Sequence, residues 1–115
     1  MRCLRLAHVN LRVERLEEAV RFYREGLGLQ DIERGDPQGR GAWFRLGDSE
    51  LHLSEDTVPQ PSSKRHFAVE VDNLDAARRA VTWAGGRVEK EDAGRFWTRD
   101  PSGNRIEIVQ SRVLG

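Results

Sequence analysis

The sequence predicts an α+β fold of two tandem βαβββ modules, their sheets forming an open, cleft-enclosing β-sheet with the helices packed outside. Three observations predict it. The order strand, helix, strand, strand, strand occurs twice; a Pro and Ser connector, "VPQPSSK", separates the copies; and closely spaced glycines end each helix. Module one covers about 4–55 and module two about 64–111, together a single domain over 1–115. Two copies of one unit usually pack about a pseudo-twofold.

The elements follow in order. In "LRLAHVNLRV", 4–13, Leu4, Leu6 and, after a change of parity, Val9, Leu11 and Val13 alternate as in a half-buried strand; from Ala7 on, one side is Ala7, Val9, Leu11 and Val13 and the other His8, Asn10 and Arg12. Leu16, Ala19, Val20, Tyr23 and Leu27 recur at spacings of three and four, so a helix comes next, with Gly26 and Gly28 to end it. Strands are expected at about 29–34, 41–47 and 49–54, with "GDPQGRG" and "GDS" as the loops between them. The second copy opens on "RHFAVEVD", where Phe67, Val69 and Val71 oppose His66, Ala68 and Glu70. Asp72 or Asn73 caps a helix with the stripe Leu74, Ala77, Val81, Ala84, which Gly85 and Gly86 stop. Strands at about 87–91, 95–99 and 104–110 complete it, the last preceded by the β-turn Asp100-Pro101-Ser102-Gly103.

Composition narrows the function classes. The 115 residues suffice for one core without disulfide or metal staples. Nineteen basic and nineteen acidic residues are intermixed at zero net charge, which disfavours nucleic acid and anionic membranes as partners. Cys3 is the single cysteine, so no internal disulfide forms, and at the head of the first strand it reads as a small buried hydrophobe rather than a nucleophile. The N-terminus is too short and too charged for a signal peptide, and no apolar run could span a bilayer, so a cytoplasmic protein is expected.

Overlaying the halves exposes a pattern. His8 falls on His66, each on the polar side of its first strand, and "ELHLS" falls on "RIEIV", so His52 falls on Glu107. Any one of these alone would read as an ordinary surface or hydrogen-bonded group. All three histidines of the chain and one glutamate at two pairs of equivalent positions read as a ligand set projecting into the cleft. Three imidazoles and a carboxylate suit a divalent transition ion (Zn, Ni, Fe, Mn or Co) and are too nitrogen-rich for Ca or Mg. Likewise "AWFR" overlays "FWTR", which puts Trp43 with Trp97 and Arg45 with Arg99 on the cleft side, walls suited to a small anionic or carbonyl-bearing substrate. The competing reading pairs those arginines with nearby acids and places the tryptophans in a dimer interface.

The stretches "HVNLRV…EEAVRFYREGLGL", "RHFAVEVDNLDAA" and "RDPSGNRIEI" resemble the vicinal oxygen chelate superfamily, which includes glyoxalase I, epimerases, extradiol dioxygenases and fosfomycin- and bleomycin-resistance proteins. The resemblance covers nearly the whole chain. It implies the glyoxalase-like fold, metal ligands at His8, His66 and Glu107, and a fourth ligand on the fourth strand at His52. It also implies a homodimer whose clefts take residues from one chain or from two. Where glyoxalase I has a carboxylate, this chain has His52, a departure that weighs against the glyoxalase reaction itself. The function expected from the resemblance is metal-dependent small-molecule chemistry, of isomerase, lyase, transferase or oxygenase type, in which the ion chelates vicinal oxygens and His52 and Glu107 are the catalytic residues. The alternative is a ligand-binding antibiotic-resistance protein without turnover.

Overall fold

The computed structural model describes residues 1–35 and 39–113. The loop expected over 35–41 and the end of the expected domain therefore fall partly outside the described residues. Strand β1 (His8–Val13) leads into α1 (Leu16–Arg21), a single π-helical turn (Phe22–Gly26), and strands β2 (Gln30–Ile32), β3 (Gly41–Leu46) and β4 (Ser49–Glu55). The first strand thus begins at His8 and not at Leu4, because its pairing with β4 starts there, and Cys3, Leu4 and Leu6 ahead of it are exposed rather than buried. The second copy is β5 (His66–Val71), α2 (Leu74–Trp83), β6 (Arg87–Asp92), β7 (Arg95–Arg99) and β8 (Arg105–Gln110). The strands form two four-stranded sheets, ordered β1-β4-β3-β2 and β5-β8-β7-β6, with a parallel pair β1/β4 or β5/β8 and the other pairings antiparallel. Two βαβββ modules are thus observed, and neither sheet closes into a barrel.

The register makes the repeat visible residue by residue. Asn10 pairs with His52 across β1/β4, and Ala68 with Glu107 across β5/β8. Trp43 opposes His52, and Trp97 opposes Glu107. The helix starts repeat too. The Leu16 amide donates to Glu55 Oε2 at 2.8 Å and the Leu74 amide to Gln110 Oε1 at 3.0 Å, so the last residue of each module's final strand satisfies an orphan donor of its own helix. Asn73, of the two candidates, is the side-chain cap of α2, accepting from the Ala76 amide at 3.0 Å.

The first helix departs from expectation. It is not one α-helix ending at Gly26: the Leu27 amide bonds the Phe22 carbonyl, five residues back, at 3.2 Å. That π turn carries the neighbours Phe22 and Tyr23, both fully buried. Gly26 is a contact rather than a stop: a Cβ there would lie 3.1 Å from Ala84 Cβ, and the π turn packs on α2 at this point. Gly28, with φ of 68°, makes the left-handed exit. On the other side Gly85 (φ 99°) ends α2, and a Cβ at Gly86 would overlap the Phe22 ring. Between the helices and the sheets lies one core of Phe22, Tyr23, Phe44, Leu51, Leu53, Val81, Phe96, Ile106 and Ile108.

A polar clasp also joins the modules. Asn104 Nδ2 donates to the Arg12 carbonyl at 2.8 Å, Gln60 Nε2 to Arg12 O and to Asn104 Oδ1, each at 3.1 Å, and the Glu14 amide to Ser102 Oγ at 2.9 Å. Asp100 holds the turn that carries Asn104. Its Oδ1 accepts from the Ser102 and Asn104 amides, and its Oδ2 from Tyr23 Oη at 2.6 Å and Asn104 Nδ2 at 3.0 Å. No described helix is long and apolar enough to cross a membrane.

Candidate metal centre in two halves

Core burial of Phe44, Leu51, Leu53, Phe96, Ile106 and Ile108 decides which way the sheets face. Side chains alternate along a strand, so Trp43, Arg45, His52, Trp97, Arg99, Arg105 and Glu107 project from the opposite, open faces. The parity read from the sequence therefore holds for the predicted substrate residues.

On the first sheet His52 lies between two flat rings. His8 stacks on it with centroids 4.1 Å apart and planes at 16°, and Trp43 covers its other side at 3.9 Å and 2°. The sandwich leaves His52 8 % exposed, whereas His8 stays open to solvent. His52 Nε2 is 2.8 Å from Glu50 Oε1. An ionised carboxylate only accepts, so Nε2 is the donor, and in the neutral ring Nδ1 carries the lone pair. The hydrogen bond from His52 holds the Glu50 carboxyl below its usual range, helped by Arg45 at 3.8 Å. Glu50 lies two residues from His52 on the same face, and the sequence reading did not select it. The available signal was its place opposite His8 in the β1/β4 register, which strand pairing supplies.

The second sheet carries His66 and Glu107. His66 Nδ1 is 2.9 Å from the Lys64 carbonyl, also an acceptor only, which leaves the Nε2 lone pair free. The His66 ring meets Trp97 edge-on at 4.5 Å. Glu107, 13 % exposed at its side chain, accepts from Arg95 Nη1 at 3.0 Å. Arg99 is engaged: Nε donates to both Glu89 oxygens at 3.1 Å, and Nη1 to the Ser63 and Gly103 carbonyls. Arg45 is about half exposed and holds Glu50 only loosely.

The predicted ligands thus lie two to a sheet: His8 stacks on His52 in one, and His66 and Glu107 stand on adjacent strands of the other. Among the described residues no three His, Cys, Asp or Glu side chains converge in an arrangement able to hold an ion. The donor chemistry nevertheless fits a divalent transition ion: His52 and His66 each have one ring nitrogen held as a donor and one left as a base, the tautomer state of metal-binding imidazoles.

Comparison with known proteins agrees with the architecture. Residues 5–108 match the model of the Glyoxalase/Bleomycin resistance protein/Dioxygenase superfamily. The chain is 34% identical to a lactoylglutathione lyase of Neisseria meningitidis serogroup A, over 95% of this chain and 92% of that one. It is 29% identical to the glutathione transferase FosA of Serratia marcescens, over 90% and 78%. A solved glyoxalase-family protein from Bacillus anthracis superposes with a TM-score of 0.81 at 29% identity, covering 97% of this chain and 100% of that one. Paired modules in register, the match along nearly the whole chain and this shared architecture have one explanation: the chain belongs to the glyoxalase/bleomycin resistance protein/dioxygenase superfamily.

Proposed function

We propose that the chain is a metal-dependent enzyme acting on a small molecule, with one divalent transition ion held by His8, His52, His66 and Glu107. The observation that carries the reading is the two half-sites at repeat-equivalent positions, each with an imidazole fixed in a ligating tautomer beside a tryptophan. The activities of the relatives, a lyase and a glutathione transferase, support small-molecule chemistry. Because one chain gathers only two ligands per sheet, the reading includes a homodimer in which His8 and His52 of one protomer face a partner's second half-site.

When bound, such an ion polarises neighbouring substrate oxygens and lowers the barrier to proton removal beside a carbonyl. The chain's own residues do the rest. Glu50 keeps the proton on His52 Nε2 and so turns Nδ1 toward either the ion or a substrate proton; the Lys64 carbonyl does the same for His66 Nε2. Trp43 and Trp97 supply apolar walls that exclude water and hold a flat or short substrate. Arg95 orients Glu107 at 3.0 Å.

Metal analysis of protein purified without chelator tests the reading. It predicts about one ion per pair of half-sites, lost in His66→Ala. A wild-type chain that stays metal-free after addition of Zn, Ni, Mn or Fe(II) contradicts it. His52→Gln separates that residue's two roles, since it weakens metal binding if His52 is a ligand and spares it if His52 is a base. The aromatic sandwich around His52 also favours a second reading, capture of a ligand without turnover. In that case His8→Ala and Glu107→Ala leave ligand affinity unchanged.

A further inference from the structure

Arg105 stands out among the arginines of the open faces. It is the strand partner of His66, shares a face with Glu107 two residues on, and places its guanidinium carbon 4.1 Å from the Trp97 ring centroid. Its side chain is 19 % exposed, yet its buried Nε has no hydrogen-bond partner and no described residue accepts from its other nitrogens. The nearest carboxylate, Glu89, is 3.7 Å away and already receives Arg99 through both oxygens. A mostly buried cation without a hydrogen bond is costly, and such donors are normally satisfied. Stacking on Trp97 uses the faces of the guanidinium and leaves its in-plane N–H edge free for a two-oxygen acceptor.

Its surroundings have room for one. Arg105 and His66 line a cleft of about 730 Å³ with Asn10 from β1 and with Gln60 and Ser63 from the connector. Trp97 touches both His66 and Arg105, so an acceptor on the guanidinium edge would lie beside the imidazole. The repeat sharpens the contrast. At the position equivalent to Arg105, module one carries Glu50, opposite His8 as Arg105 is opposite His66.

We infer that Arg105 is a specificity-determining residue that binds a terminal oxyanion of the substrate, a carboxylate or a phosphonate, beside the second half-site. This inference rests on the proposed small-molecule site and moves the anion-reading role from Arg99, which is engaged, to Arg105. The test is a titration of chelator-stripped protein with methylphosphonate and, separately, with acetate, followed through the Trp97 indole and His66 ring resonances. Saturable shifts are expected for one or both anions, and the stronger one names the source. Arg105→Gln is expected to weaken binding about tenfold or more, with partial recovery in Arg105→Lys, which restores charge without the planar fork. Binding unchanged in Arg105→Gln overturns the assignment. So does a dimer that dissociates about tenfold more readily in Arg105→Gln and in Glu50→Gln alike with anion binding unchanged, because Arg105 then pairs with Glu50 across subunits. The titration contains no metal, so it stands or falls separately from the metal centre.

Discussion

Tyr23 and Asp100 show how much of the site's framework hangs on single side chains. Tyr23 is fully buried and donates to Asp100 Oδ2, and burial, reinforced by the neighbouring carboxylate, raises its pKa well above the ordinary phenol value. Burial also raises the Asp100 carboxyl, against the pull of its four donors. For Tyr23, a folded-state pKa raised above the unfolded value gives stability that is complete below about pH 10 and lost as pH climbs beyond it. Tyr23→Phe is therefore expected to lower stability by about 1–2 kcal/mol at pH 7, with the deficit shrinking above about pH 10. Urea unfolding of both proteins between pH 7 and 11 measures this, and a constant deficit counts against it. At the same scale, His8, His52, His66 and Glu107 could be proposed from the sequence because repeat equivalence is a matter of order along the chain. The hydrogen bond of Glu50 and the unfilled donor of Arg105 were not legible there, because only packing determines them.

The elements themselves were largely legible. Alternation and helical spacing placed every strand and both helices, because apolar side chains repeat with the period of the backbone, although the first strand, read from Leu4, begins only at His8. What periodicity could not show was the π turn, since it is set by one backbone hydrogen bond, from the Leu27 amide to the Phe22 carbonyl, and not by the spacing of apolar side chains. Nor could it show why Gly26 and Gly86 are glycines, a matter of one element touching another. Gly86→Ala drives a methyl into the Phe22 ring and is expected to destabilise by about 1–3 kcal/mol. Phe22→Leu in the same background is expected to recover part of the loss. Thermal unfolding of the single and double variants checks the coupling, and strict additivity contradicts the contact.

For the whole molecule, the account places one metal centre across two half-sites that one chain keeps on separate sheets. Metal bound only to the folded dimer must stabilise it: a hundredfold excess over the dissociation constant adds about 2.7 kcal/mol, so chelation is expected to lower the melting temperature in a concentration-dependent way. The pairing of halves is what the sequence left open, since the repeat predicts which residues meet but not whether they share a chain. A mixing experiment tests it most directly. One variant, His8→Ala/His52→Gln, lacks the first half-site, and another, His66→Ala/Glu107→Gln, lacks the second; each alone is expected to bind no metal. Unfolded together and refolded at equal concentrations, they form heterodimers that restore one complete centre each. The account predicts that metal bound per chain recovers to about a quarter of wild type, the share set by random pairing. A mixture that binds no more metal than the separate variants would contradict it.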